Sequence, residues 1–111
     1  MYGFEELDVL QLQDLMGKQQ GQIALIDVRT PAEVARGAIA GAKNIPLHLL
    51  PMAERDLSKE CQMVFYCQTG ARSAQACAFL AARGWKNIYN LRGGIMAWLH
   101  SGKPATALEA V

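Results

Sequence analysis

The sequence predicts an α/β domain with a mainly parallel sheet and helices on both faces. Three observations carry that expectation. Ile23 to Val28 is a short apolar run without alternation, the pattern of a strand buried on both sides. Met63 to Tyr66 is a second buried run of the same kind. Strand-like and helical segments then alternate along the chain, which favours a parallel sheet over hairpins.

The elements follow in order. Asp8 can cap a first helix through about Gly17, with Val9, Leu12, Leu15 and Met16 at helical spacing. The strand from Ile23 to Val28 comes next. Thr30-Pro31-Ala32-Glu33 reads as a capping box with proline at the first helical position, and Gly37 ends that short helix. Lys43 to Ile45 is a short strand stopped by Pro46, and a helix is expected from about Leu47 to Arg55. After the strand from Met63 to Tyr66, a crossover helix runs from Ser73 to Arg83 and stops at Gly84. Asn87 to Leu91 is the last strand. Gly93-Gly94 then turn into a final helix whose core face is read as Ile95, Trp98 and Leu99.

Length and composition bound what the chain can be. It has 111 residues, enough for one domain with a real core. Residues 1–103 are read as that domain and 104–111 as a loosely attached tail. The net charge is +1, so electrostatics gives no case for nucleic acid or an anionic membrane as partner. No apolar run is long enough to span a bilayer. Met1 to Glu6 is acidic and lacks the basic and apolar regions of a signal peptide. The three cysteines, Cys61, Cys67 and Cys77, match no zinc spacing. A reduced, cytoplasmic setting is therefore expected, with no metal and no organic cofactor.

Chemistry concentrates at Cys67. The run Val64-Phe65-Tyr66 stops at this cysteine, a polar loop with Gly70 follows, and helical sequence begins at Ser73. The first N–H groups of a helix lack partners inside it and point into such a turn. Loop N–H groups can close around the same point, which lowers a thiol's pKa and makes it nucleophilic. The bland alternative is a buried core cysteine. Gly70 supplies a backbone angle that a side chain would oppose. Gln68, Thr69 and Ala71 are expected to contribute backbone N–H groups. Arg72 stands where a guanidinium can orient an anionic substrate, or else is an ordinary surface arginine. Asp27, at the end of a buried strand, needs partners. It either accepts hydrogen bonds from the Cys67 loop or pairs with Arg29. In parallel sheets ligands bind beyond the carboxyl ends of the strands, so Asp27, Arg29, Cys67 and Arg92 can share one region. Cys61 is read as a partly exposed structural thiol, Cys77 as core, and His48 and His100 as surface residues.

Cysteine, loop, arginine and helix also describe the Cys-dependent phosphatases and arsenate reductases. Those enzymes place one more residue between Cys and Arg, so that amides surround a tetrahedral oxyanion. Four residues separate Cys67 from Arg72, which makes a smaller cup suited to a single sulfur atom.

The loop Cys67-Gln68-Thr69-Gly70-Ala71-Arg72 with Ser73 resembles the active-site loop of the rhodanese-like sulfurtransferases. Leu25 to Glu33 with Gly37 to Pro46 resembles the family's first signature, and Leu91 to Trp98 its C-terminal one. The blocks keep the family's order and cover most of the chain. One departure is Ala38, where the family usually has a histidine with a mostly structural role; local packing is expected to feel it more than activity. The resemblance implies the rhodanese-like fold and a two-step transfer. The Cys67 thiolate takes the outer sulfur of a donor such as thiosulfate, becomes a persulfide, and passes that sulfur to a thiol or to cyanide. It also implies that Arg29 lies near the site. Two other functions compete with this reading: a persulfide relay to a dedicated acceptor protein, and the phosphatase- or arsenate-reductase-like thiol enzyme.

Overall fold

A computed structural model of the chain describes residues 3–18 and 22–105. Its centre is a five-stranded sheet of order β1-β5-β4-β2-β3, and every pairing in it is parallel. The strands are β1 (Glu5–Leu7), β2 (Ile23–Asp27), β3 (Lys43–Asn44), β4 (Gln62–Tyr66) and β5 (Ile88–Leu91). The helices are α1 (Val9–Lys18), α2 (Pro31–Ala35), α3 (Leu50–Ala53), α4 (Ala71–Ala82) and α5 (Gly94–His100).

Two apolar layers explain why β2 and β4 lack polar alternation. Along β4, Met63 and Phe65 point to one layer with Ala76, Cys77 and Leu80 of α4. Val64 and Tyr66 point to the other, with Leu12 of α1 and Ile95 and Trp98 of α5. Successive side chains leave opposite faces of a strand, so a strand covered on both faces is apolar throughout.

Local signals set the helix starts. Asp8 Oδ1 accepts the Gln11 N–H at 2.7 Å while Gln11 Oε1 accepts the Asp8 N–H at 2.8 Å, a reciprocal cap. Thr30 and Glu33 cap α2 in the same way, with Pro31 at its first turn. The end of α4 is closed by Gly84 at φ +93°, with Trp85 N–H donating to Leu80 O at 3.1 Å and Gly84 N–H to Ala81 O at 3.0 Å.

The structure departs from the sequence reading in four places. It adds β1, which pairs with β5 from Glu5 opposite Tyr89 to Leu7 opposite Leu91. The helix expected over 47–55 is broken into a 3-10 turn at Leu47–Leu49, the short α3 and a second 3-10 turn at Glu54–Asp56. Pro51, which has no N–H to donate, sits inside that stretch. Helix α4 begins at Ala71, two residues before the expected Ser73. Leu99 is 41% exposed rather than core, because the buried face of α5 runs through Ile95 and Trp98. In the tail read as 104–111, Pro104 O accepts a 2.8 Å hydrogen bond from Trp98 Nε1 and Ala105 packs on the apolar layer of α1 and α5. The rest of that tail, 106–111, lies outside the described residues.

Candidate active site

Cys67 follows the last residue of β4 and is buried. Its sulfur receives the Gly70 N–H at 3.1 Å and the Ser73 hydroxyl at 3.5 Å. Gly70 is the N-cap of α4 at φ +105°, and no side chain caps that helix. The donors that a cap would normally satisfy are thus turned to sulfur. Burial alone pushes the Cys67 thiol up. The Ser73 hydroxyl, with the Ser73, Gly70 and Thr69 N–H groups, outweighs it, and the net shift is downward. Cys77 shows the contrast: its thiol packs among apolar side chains and is pushed up to about 12, first by burial.

A second helix turns the loop's carbonyls away from the sulfur. Ile95 N–H donates to Cys67 O at 2.9 Å and Met96 N–H donates to Gln68 O at 3.1 Å. With those carbonyls held by the start of α5, the loop's N–H groups are left to face Sγ. This requires backbone contact that only glycine permits. A Cβ on Gly94 would lie 2.5 Å from both Cys67 O and Gln68 O. Asn90, buried at the end of β5, adds a side-chain bond to Gly70 O at 3.3 Å and one to Glu6 Oε2 at 3.0 Å. The Gly93-Gly94 pair is visible in the sequence as a turn. Its role beneath the Cys67 loop, and that of Asn90, are findings of the structure.

Asp27 and Arg29 form a fully buried ion pair, with Arg29 Nη2 2.8 Å from Asp27 Oδ2 and Nε 3.0 Å from Oδ1. Of the two alternatives for Asp27, the structure shows the pair with Arg29. Arg29 also donates to Gly37 O at 2.7 Å and reaches Gln68 Oε1 at 3.5 Å. The guanidinium therefore ties the end of β2 to the end of α2 and to the first residue after Cys67. Ala38 is buried beside this tie, and its neighbour Ile39 donates its N–H to Tyr66 Oη at 3.0 Å.

Arg72 was a candidate for substrate contact. Both of its terminal nitrogens lie on Glu33, Nη1 at 2.7 Å from Oε1 and Nη2 at 2.8 Å from Oε2. Glu33 is thereby held from two sides, since Thr30 N–H also donates to its Oε1 at 3.0 Å. Sequence spacing marked Glu33 as a capping residue and gave no sign of this second task. Arg92 is exposed, with Nε 3.4 Å from Glu6 Oε1.

A cavity of about 340 Å³ opens beside Gln68, lined also by Arg29, Glu33, Arg36, Ile95 and Leu99. A larger cleft of about 730 Å³ around Trp85, Lys59 and Arg83 lies toward the other end of the sheet, where β4 and β5 begin. It shares no residue with the Cys67 loop. Among the described residues no cluster of His, Cys, Asp or Glu is arranged to hold a metal ion.

The fold and the site define a thiol-centred α/β protein, with a strand-end cysteine under a ring of N–H groups. The family model for the rhodanese-like domain matches residues 8–101, and the chain belongs to that family of sulfurtransferases. A sulfurtransferase from Allochromatium vinosum is 47% identical over 87 residues, covering 78% of this chain and 81% of that protein. The putative sulfurtransferase YtwF of Bacillus subtilis is 40% identical over 83 residues, covering 75% of this chain and 80% of that one. Among solved structures, a rhodanese-related protein from Thermoplasma volcanium superposes with a TM-score of 0.85 at 30% identity, covering 95% of this chain and all of that one. No helix among the described residues is long and apolar enough to cross a membrane.

Proposed function

We propose that the protein transfers sulfane sulfur through a persulfide on Cys67. The observation that carries this reading is the sulfur itself, which is buried, hydrogen-bonded by Gly70 and Ser73, and shifted toward the thiolate. In the first step the Cys67 thiolate attacks the outer sulfur of a donor such as thiosulfate. The donor's S–S bond breaks, sulfite leaves with the bonding pair, and Cys67 carries one added sulfur. In the second step a thiolate or cyanide attacks that outer sulfur and Cys67 departs as thiolate. A thiol on an acceptor protein would react in the same way.

The roles of the neighbours follow from their contacts. Gly70, Thr69 and Ser73 stabilise negative charge on sulfur before and after transfer. Gln68 and Ala71 shape the loop. Asp27 and Arg29 fix the base of the site. Arg72, gripped by Glu33, braces the loop's far end against α2. The four residues between Cys67 and Arg72 favour sulfur over a tetrahedral phosphoryl group. The three free thiols suit a reducing compartment such as the cytoplasm.

The test is intact mass after incubation with thiosulfate and removal of excess donor. One added sulfur, localised to Cys67 by peptide mapping, is expected. An unmodified Cys67 together with turnover of an aryl phosphate would replace this reading with the phosphatase-like one.

A further inference from the structure

On the face of the sheet that α4 covers, one row of side chains is not apolar throughout. Glu6 of β1 stands opposite Asn90 of β5, and Asn90 stands opposite Phe65 of β4. Phe65 and Ile88 belong to the apolar layer under α4, and Asn90 follows Ile88 at strand spacing on the same face. Asn90 is 1% exposed, and a buried amide costs stability unless its groups are matched. Its Nδ2 faces two acceptors, Glu6 Oε2 at 3.0 Å and Gly70 O at 3.3 Å. Its Oδ1 is buried without a hydrogen-bond partner among the described residues. The side chain is therefore satisfied only on the half that joins β1 to the Cys67 loop. A half-matched amide fills a core poorly, and its placement points to another task.

Glu6 sets which way that amide points. Turned over, Asn90 would place Oδ1 against a carboxylate and a carbonyl, with no proton between them. The carboxylate is itself steadied from outside by Arg92, whose Nε lies 3.4 Å from its Oε1. Gly70 is the residue of the loop most in need of an anchor. Its N–H donates to Cys67 Sγ at 3.1 Å, and at φ +105° it has a backbone freedom that no side chain restrains. Its carbonyl accepts the Ala74 N–H at 3.1 Å from within α4, while Asn90 holds it from the sheet. Glu6 lies before residues 8–101, the span that the family model matches, so the tie begins outside that span.

Resting on the sulfurtransferase reading above, we infer that Glu6 and Asn90 are a pair of positioning residues: the Glu6 carboxylate orients the Asn90 amide, and the amide holds Gly70 with its N–H on the Cys67 sulfur. An exposed side chain at the border of the sheet thus sets how readily the buried cysteine reacts. The sign of the effect separates this role from plain electrostatics. Removing the negative charge of Glu6 would by itself favour the thiolate and lower its pKa. Releasing Gly70 weakens a donor to the sulfur and raises it.

The experiment is iodoacetamide labelling of Cys67 against pH, read by peptide mass, in wild type, Glu6→Ala, Glu6→Gln and Glu5→Ala. Glu6 is exposed on an edge strand, so its truncation leaves the core in place. Glu6→Ala should shift the curve to higher pH and slow labelling at neutral pH by about threefold, the lower end of what one hydrogen bond contributes. Glu6→Gln keeps an acceptor for Asn90 and should stay near wild type. Glu5→Ala removes the same charge from the same strand without touching Asn90, and should not raise the curve. Asn90→Ala should shift it as Glu6→Ala does, and adding Glu6→Ala to that variant should raise it no further. Should Asn90→Ala fail to fold, the Glu6 variants decide alone. A Glu6→Ala curve that is unmoved, or moves to lower pH, overturns the pair and leaves the sulfurtransferase reading standing. A wild type that labels at Cys67 but gains no sulfur from thiosulfate sinks that reading, while the labelling curves still decide whether the pair holds Gly70.

Discussion

Glu33 holds Arg72 through both carboxylate oxygens, at 2.7 and 2.8 Å, and so joins the start of α2 to the first turn of α4 across 39 positions of sequence. The Arg72 guanidinium holds the Glu33 carboxyl down at about 2. A depressed carboxyl contributes stability that is present above its unfolded pKa and is lost as pH falls through its folded one. Glu33→Gln removes that contribution but keeps an amide able to complete the Thr30 cap. Because the pair is partly exposed, the loss at neutral pH should be about 1 kcal/mol or less. Urea unfolding of the two proteins should show this gap near pH 7. It should narrow as pH falls from the ordinary glutamate range through about 2. A gap that persists unchanged at the acid end would assign the effect to something other than the carboxylate.

Cys67→Ser should abolish sulfur transfer, while Cys61→Ser keeps most of it. Cys61 has neither the strand-end position nor the ring of N–H donors. Cys77 is buried against α4's apolar neighbours, and Cys77→Ser should lower stability by placing a hydroxyl there. Thiosulfate-to-cyanide turnover of the three folded variants decides it. Equal losses in the Cys61 and Cys67 variants would require a dithiol mechanism.

Ser73→Ala should move the Cys67 thiol to higher pKa, because the Ser73 hydroxyl is the foremost of the groups lowering it. The shift should be partial, since the Ser73, Gly70 and Thr69 N–H groups remain. The iodoacetamide labelling rate against pH should slide toward alkaline pH, and labelling at neutral pH should slow. An unmoved curve would mean that the backbone alone sets the thiolate.

Gly94→Ala and Gly17→Ala should have opposite signs. At Gly94 the added methyl meets two loop carbonyls at 2.5 Å, and φ is +60°. About 2 kcal/mol or more should be lost, and sulfur transfer should fall as the loop is displaced. At Gly17, near the end of α1, the added methyl meets nothing within 4 Å and should stabilise by ~0.5 kcal/mol. Thermal unfolding of both variants, with turnover of the first, checks the pair. A Gly94→Ala protein with wild-type stability and turnover would show that the α5 contact does not shape the site.

Sequence made the sheet and the strand-loop-helix setting of Cys67 legible because both depend on short-range signals. An apolar run, a glycine and a helix start lie within a dozen positions around Cys67. The parts it did not reveal depend on contacts between distant segments. Glu5 and Glu6 read as an acidic end, and only pairing with β5 makes them a strand. Asn90 looks like an ordinary strand residue until Gly70 is folded against it. Arg72 looked free to meet a substrate because nothing in its own neighbourhood announces Glu33. Leu99 reads as core because it follows Ile95 by four residues on the same helical face, while the packing of α5 stops short of it.

The order of the sheet also bears on how the chain behaves in company. Its two borders are the short β1, whose Glu5 and Glu6 are exposed, and the two-residue β3. Borders so short, and on one side so acidic, give a neighbouring molecule little backbone to extend. The segment best suited to stacking with copies of itself, Met63-Val64-Phe65-Tyr66, occupies the middle position between β2 and β5. It becomes available only when one of those neighbours has come away. Resistance to aggregation should therefore track the opening of the central strands, and a substitution that loosens β5 should shorten shelf life before it measurably lowers turnover.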